Sequence, residues 1–317
     1  MIAPPYLVSY DTLNDFLNAL SDHDREKYGQ QIEALVEKRL PPVASTQCLA
    51  TLFGYSTKFL HSIRSNPEIF YREFEIRKGK KLRKISSPRV ALKVIQKWFS
   101  YHAQKSVAFD ENVFGFIPGK SFIDAAAKHC GCDWIYTVDI KDFFPSIRPE
   151  AVTKSLIDIG YSVEAAQLLS EICCLDGGLP QGSPASPFLS NLVFSGVDRE
   201  LKKIAEETNT TYSRYADDLN FSGKDGWDPR IQEMVREILA ENGFERAEGK
   251  EGVRVNPQRL KVHGLIVSGK HPRLTKGYRN RIRAYKHLIA NGRVEDDSID
   301  TIRGHLSFAK SVNAEDF

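Results

Sequence analysis

The chain has 317 residues, 41% of them hydrophobic, and sets 44 Lys and Arg against 41 Asp and Glu for a net charge of only +3. That length can bury a large core in two or three subdomains, and the near balance of charge confines any nucleic-acid surface to a local patch. No apolar run is long enough to span a membrane, Met1-Ile2-Ala3-Pro4-Pro5 lacks the basic start and apolar centre of a signal peptide, and five cysteines without a Cys-x-x-Cys pair suit reduced thiols in a cytoplasm.

Residues 8 to 40 read as one or two polar helices with Leu13, Phe16, Leu17 and Leu20 on an apolar stripe, ended by Leu40-Pro41-Pro42. Residues 45 to 65 read as a helix pair around Gly54, with Ser56 capping the second. Neither segment carries chemistry of its own; both read as a packing or RNA-docking extension. The pattern then changes. Phe70 to Ile76 alternates like a strand, Arg77-Lys78-Gly79-Lys80-Lys81 is a basic turn, and Leu82 to Ile85 returns as a second strand that Pro88 ends. Taken alone, such a hairpin is a lysine-guarded edge. Residues 90 to 106 form an amphipathic helix with Val90, Val94, Trp98 and Tyr101 on one stripe. Phe114 to Ser121 is a glycine-punctuated loop entering a helix at Ser121, a place where a phosphate can be cradled. His129-Cys130-Gly131-Cys132 lacks a fourth ligand for zinc.

Trp134 to Ile140 is a short β-rich run that delivers Asp139 at its end, where an acid is costly unless paired or metal-bound. Two helices follow over 149 to 175, broken at Gly160-Tyr161 with Ser162 as a cap. A proline-punctuated loop, Leu179 to Pro187, comes next, then a long helix burying Phe188, Leu192, Val193, Val197, Leu201 and Ile204. Tyr212 to Ser222 reads as a hairpin whose tight turn displays Asp217 and Asp218. Adjacent like charges repel, and divalent magnesium prefers a few carboxylates plus phosphate oxygens. If the Asp139 strand pairs beside this hairpin, three carboxylates meet and can hold two metal ions about 4 Å apart, the arrangement that stabilises attacking and leaving oxygens in nucleotidyl transfer. Asp228-Pro229 opens a further helix that Gly243 ends. The alternation of strands and helices predicts an α+β domain: an antiparallel sheet with helices on one face. Arg273 to Arg293 is strongly basic, with Tyr278 and Tyr285 interleaved.

Val138-Asp139-Ile140-Lys141-Asp142-Phe143-Phe144, Leu179-Pro180-Gln181-Gly182-Ser183-Pro184-Ala185-Ser186-Pro187 and Tyr215-Ala216-Asp217-Asp218 resemble, in order and spacing, motifs A, B and C of reverse transcriptases, and the bacterial retron type above all. The resemblance covers roughly residues 70 to 310. It implies a right-hand polymerase fold: a helical N-terminal extension over 1–68, fingers and palm over 69–270 (fingers mainly 69–130 and 149–187), and a short helical thumb over 271–317. Related thumbs usually continue by another helix, so a shortened C-terminus is expected. Two retron hallmarks are altered. Asn-Ala-x-x-His keeps Ala126 and His129 but has Ala125 in place of asparagine, and Val-Thr-Gly stands as Val262-His263-Gly264.

The resemblance assigns catalysis to Asp139, Asp217 and Asp218, and two Mg2+ ions to those residues with the Ile140 main chain. Lys81 and Arg83 of the basic hairpin become phosphate contacts for an incoming deoxynucleoside triphosphate, Gln181 meets its sugar, and Gly182 admits the template base pair. Phe144, five positions after Asp139, stands where a bulky aromatic excludes a ribose 2′-hydroxyl, which predicts DNA rather than RNA as product. Lys250 in motif D is a candidate general acid, with an exposed loop lysine as the plain alternative. Lys120 approaches the template backbone, and Arg273, Lys276, Arg279, Arg283 and Lys286 track a duplex.

A retron enzyme would copy part of a structured noncoding RNA, its template and primer, into RNA-linked DNA, serving in phage defence beside an effector protein. Two other readings stand against it: a reverse transcriptase of the group II intron or diversity-generating type, and an RNA–DNA-bound scaffold that restrains a toxin.

Overall fold

The computed structural model describes residues 1–79, 81–292 and 296–312, with backbone alone at Lys78, Lys81, Asp296 and Asp297. Lys80 of the basic turn, the side chain of Lys81 and Arg293 therefore lie outside the described residues. The chain divides into two compact units, Met1–Asp110 with Asp142–Gly196, and Glu111–Lys141 with Val197–Phe317. Among the described residues no helix is long and apolar enough to cross a membrane.

The first unit begins with the helices Leu13–Ala19 and Asp22–Glu37, then Thr46–Phe53 and Thr57–Ser65. Their starts follow from side-chain caps: Thr12, Ser21, Ser45 and Ser56 each accept a backbone N–H of the first turn. Gly54, at φ 65°, turns the chain between the second pair. The basic hairpin pairs β1 (Tyr71–Lys78) with β2 (Lys81–Pro88) in antiparallel register, Phe74 opposite Ile85 and Ile76 opposite Arg83. The helix Val90–Ala103 buries Leu92, Ile95, Trp98 and Phe99. The predicted stripe is rotated relative to this face, because Val90 and Tyr101 are exposed and Phe99 takes the inward position. Pro149–Ile159 and Val163–Cys173 follow, with Ser162 capping the second.

The second unit is built on a four-stranded antiparallel sheet of β3 (Trp134–Asp139), β4 (Thr211–Tyr215), β5 (Asp218–Gly223) and β6 (Gly252–Val255), in the order β4-β5-β3-β6. Side chains alternate across a strand. One face therefore presents Trp134, Tyr136 and Val138 of β3 with Leu219 and Phe221 of β5. It packs as an aromatic layer, with Tyr212 and Phe221 rings 4.9 Å apart. The other face presents Asp139 and Thr137 beside Asp218, Asn220 and Ser222, then Tyr215 and Ser213 of β4. Below this polar row lies a core that includes Ala126, Ile135, Leu260, Leu265 and Ile282. It draws together the helices Phe122–Lys128, Lys276–Ala290 and Asp296–Val312 and the short hairpin of β7 (Lys261–Val262) and β8 (Leu265–Ile266). The helix Pro229–Glu241 starts at Asp228 and Pro229 and buries Ile231, Val235 and Leu239.

Candidate active site

Asp139 ends β3 and Asp218 begins β5, and the two are direct Cα partners across the ladder. The hairpin turn is shorter than a two-aspartate display: Ala216 and Asp217 alone form it, and Asp218 already belongs to the strand. Ala216 adopts φ 57°, a left-handed conformation that favours glycine and costs an L-residue about 1–2 kcal/mol. Three contacts hold the turn there. The Arg214 guanidinium donates to the Ala216 carbonyl at 3.2 Å. The backbone N–H of Ile140 donates to the Asp217 carbonyl at 3.0 Å. Gly115 packs so closely that a Cβ on it would lie 3.0 Å from the Tyr215 carbonyl carbon and closer still to the Ala216 nitrogen.

That last contact gives the glycine-punctuated loop a structural part in this unit. Its backbone meets the edge strand β4 at a single parallel bridge, Val113 beside Arg214: the Phe114 N–H donates to the Arg214 carbonyl at 2.8 Å, and the Arg214 N–H donates to the Asn112 carbonyl at 2.9 Å. Lys120 donates to the carbonyls of Glu111 and Val113, both at 2.9 Å. The loop braces the turn, and its lysine holds the loop's own backbone.

Each of two acids has a basic neighbour. Lys250 Nζ donates to both oxygens of Asp139, at 2.5 and 2.6 Å. His263 Nδ1 lies 3.6 Å from an oxygen of Asp218. Burial pushes the Asp139 carboxyl above the usual carboxylate range; Lys250 opposes that and Asp217 adds to it. For Asp218 burial also works upward, but His263, with Asp139 and Lys250, holds the carboxyl below its usual range.

The donors fit a divalent cation in kind, since two in-register carboxylates and a third on the adjoining turn supply the hard oxygens that Mg2+ prefers. As the side chains stand, no three Asp, Glu, His or Cys among the described residues are grouped to hold a metal ion, and the Lys250 ammonium provides the countercharge at Asp139. Ile140 is buried, and its main chain ties the end of β3 to the turn.

Lys250 owes its position to its neighbour. Glu251, only 5% exposed, accepts hydrogen bonds from Tyr136 Oη at 2.6 Å, Gln232 Nε2 at 3.0 Å and Arg236 Nε at 3.0 Å, and pairs with Arg246. Burial opposes its ionisation, yet these partners hold its carboxyl down at about 2. Backbone bonds from Ala247 to the Asp139 carbonyl and from Lys141 to the Glu245 carbonyl, both 2.8 Å, fasten the same segment to the end of β3.

Two buried polar clusters carry the sheet. Arg214 and Asp198 are fully buried and joined by two hydrogen bonds, Nε to Oδ1 at 2.7 Å and Nη2 to Oδ2 at 2.6 Å, with Tyr212 donating to the same carboxylate at 2.8 Å. His129 is buried between Ser222 Oγ at Nδ1 and Ser213 Oγ at Nε2, each 2.7 Å away. It clamps β4 to β5, and with both nitrogens engaged it is no zinc ligand. His263 has φ 48° and a buried Nε2 without a hydrogen-bond partner.

The nucleotide-contact candidates belong to the first unit. Gln181 accepts the Ser86 N–H at its carbonyl, 2.8 Å, which seats the loop on β2. Gly182, at φ 124°, lies where a Cβ would stand 2.9 Å from both Ile85 Cγ2 and the Ser86 carbonyl oxygen. Glycine is thus required there by the hairpin itself. Ser183 donates to buried Gln96, whose amide donates to Tyr71 Oη and the Ile172 carbonyl, each bond 2.8 Å. Phe144 is half-buried beside Phe143 and accepts the Leu179 N–H at its carbonyl. Arg83 is half-buried on β2.

On the helix Lys276–Ala290, Lys276, Arg279, Arg283 and Lys286 fall on one exposed stripe, and Arg273 precedes it, exposed. The tyrosines are not interleaved with that stripe. Tyr278 Oη bonds His305 Nδ1 at 2.6 Å, and the Tyr285 ring lies 5.4 Å from His305, so both pack toward the helix Asp296–Val312.

Residues 76–267 match the family model described as reverse transcriptase (RNA-dependent DNA polymerase). The chain is 28% identical over 288 residues to the Retron Ec86 reverse transcriptase of Escherichia coli, covering 87% of each protein. It is 30% identical over 253 residues to the Retron Mx65 reverse transcriptase of Myxococcus xanthus, covering 74% of this chain and 59% of that one. Among solved structures it resembles a telomerase from Candida tropicalis in complex with a telomeric RNA fragment, with a TM-score of 0.48 and 12% identity, covering 82% of this chain and 57% of that one.

Proposed function

Because this chain belongs to the reverse transcriptase (RNA-dependent DNA polymerase) family and is an RNA-directed DNA polymerase of the retron type, with the α+β right-hand polymerase fold, we infer that it copies part of a structured noncoding RNA into RNA-linked single-stranded DNA. The observation that carries the reading is the pairing of Asp139 with Asp218 in direct register, with Asp217 on the adjoining turn.

Asp139, Asp217 and Asp218, with the Ile140 main chain, are the residues to hold two Mg2+ ions, whose chemistry is to lower the pKa of a priming hydroxyl and to stabilise the leaving pyrophosphate. The protein's own part is orientation. Arg214, Gly115 and Ile140 fix the turn, and the Glu251 hub fixes the segment after it. In this reading Lys81 and Arg83 meet the triphosphate, Gln181 the sugar, and Phe144 excludes a 2′-hydroxyl. Lys276, Arg279, Arg283 and Lys286 follow a nucleic-acid backbone as a thumb, joined by Arg273. Phage defence with an effector protein, in the cytoplasm, completes the proposal as what the motif resemblance to retron enzymes implies.

The test is expression of the gene with its flanking DNA, followed by extraction of total nucleic acid. A short abundant DNA whose gel mobility shifts on RNase treatment is expected, and it should vanish in an Asp217→Asn, Asp218→Asn double variant. Its absence beside ordinary primer extension in vitro would overturn the retron product and favour another bacterial reverse transcriptase. Loss of DNA synthesis with defence retained in the double variant would favour the scaffold.

A further inference from the structure

Lys250 sits where a cation is needed. Asp139 is 10% exposed at its side chain and lies opposite Asp218, so two carboxylates face each other at the end of a mostly buried strand pair. Such a pair is expensive without a countercharge. One ammonium, donating to both oxygens of Asp139, provides it.

We propose that Lys250 is a resident counterion, which occupies the cation position at Asp139 in the metal-free protein and must swing away before a divalent cation is held there. The proposal rests on the two-metal reading of this site. It differs from acid catalysis, because it concerns the state before substrate arrives and requires no proton transfer.

Two properties of the segment suit this exchange. Its backbone is firmly placed. The turn Glu248–Lys250 hangs between the Ala247–Asp139 backbone bond on one side and the buried Glu251 hub on the other. The Lys250 side chain, by contrast, is 58% exposed, so the ammonium can leave into water while the backbone stays. A firm anchor with a loose stem holds a charge at one point and still releases it. Removing the ammonium therefore removes a competitor for the Asp139 oxygens.

The experiment is a titration of the full-length, metal-stripped protein with Mn2+, followed by the paramagnetic resonance of the free ion, with no nucleotide or nucleic acid present. Lys250→Met should bind Mn2+ more tightly than the parent, on the order of three- to tenfold, the size expected for losing one half-exposed charge competitor. Lys250→Arg, which keeps the cation, should stay near the parent value. A second readout is thermal unfolding. Metal-free Lys250→Met should melt below the parent, and Mn2+ should raise its melting temperature by more. Equal or weaker Mn2+ binding by Lys250→Met would overturn the proposal. Primer extension on RNA by the parent protein separates the two ideas. Extension without the Mn2+ difference sinks the counterion role alone. Failure of extension sinks the functional reading, while the titration still reports on Lys250.

Discussion

The guanidinium of Arg214 donates to the carbonyl of Ala216, two residues further along the chain in the hairpin turn, while its other edge grips both oxygens of Asp198. Arg214 points to the face opposite the acids, so a buried ion pair beneath the sheet sets the turn above it. Arg214→Met would leave Asp198 without its cation in the interior, with Tyr212 still donating to it, at a cost of about 3–5 kcal/mol. Arg214→Met with Asp198→Leu removes both charges and should recover most of that stability in urea unfolding. DNA synthesis should stay depressed in the double variant, because the Ala216 carbonyl has lost its donor. A stable double variant with parental activity would show that the turn does not need this support.

Gly115→Ala tests the same turn from the other side. The added Cβ meets backbone on both sides of the Tyr215–Ala216 peptide, and backbone cannot swing away as a flexible side chain would. If the turn's aspartates act as proposed, a displacement near 1 Å lowers turnover by on the order of a hundredfold. Steady-state primer extension should fall by about that much, with near-parental far-UV circular dichroism. Parental rates would mean that the 114–116 loop yields.

His129 makes stability depend on pH. Burial holds its pKa at about 3, below the ordinary 6.5, so the unfolded chain takes up the proton first. Its contribution is intact above about pH 6.5 and is lost as the pH falls toward 3, with a slope approaching ~1.4 kcal/mol per pH unit. His129→Gln keeps a donor and an acceptor for Ser213 and Ser222 but does not titrate. Urea midpoints measured from pH 7 to pH 4 should fall more steeply for the parent than for the variant. Parallel curves would refute a neutral buried imidazole.

Phe144→Ala should relax sugar selection. The ring is half-buried on Phe143, so truncation trims a surface without opening the core. Ribonucleotide incorporation, compared with deoxynucleotide incorporation at equal concentrations, should rise on the order of ten- to a hundredfold. An unchanged ratio would remove Phe144 from the nucleotide site.

Much of the frame was legible in the chain itself. β-rich composition marked Trp134–Asp139, strand-forming flanks around a tight turn marked the hairpin at Asp217, and capping residues such as Ser56, Ser162 and Asp228 announced helix starts. Motif order and spacing identified the family, because polymerase chemistry demands particular residues at particular places. Local pattern was less reliable for orientation. Val90 and Tyr101 satisfy a helical stripe yet lie outside, and Tyr278 and Tyr285 turn inward from the basic stripe they accompany.

What the sequence determined by itself was the family, through its motifs, and the elements that carry Asp139, Asp217 and Asp218, since these depend on residue type and short-range spacing. Tertiary structure alone decided their company. Arg214 with Asp198, His129 between two serines, Glu251 among its partners and Lys250 on Asp139 are contacts 16, 84 and 93, up to 115, and 111 residues apart. A charged residue in the interior needs a counterpart, but the counterpart's position depends on how strands register and helices pack. No local periodicity encodes that, and only the folded chain brings the two together.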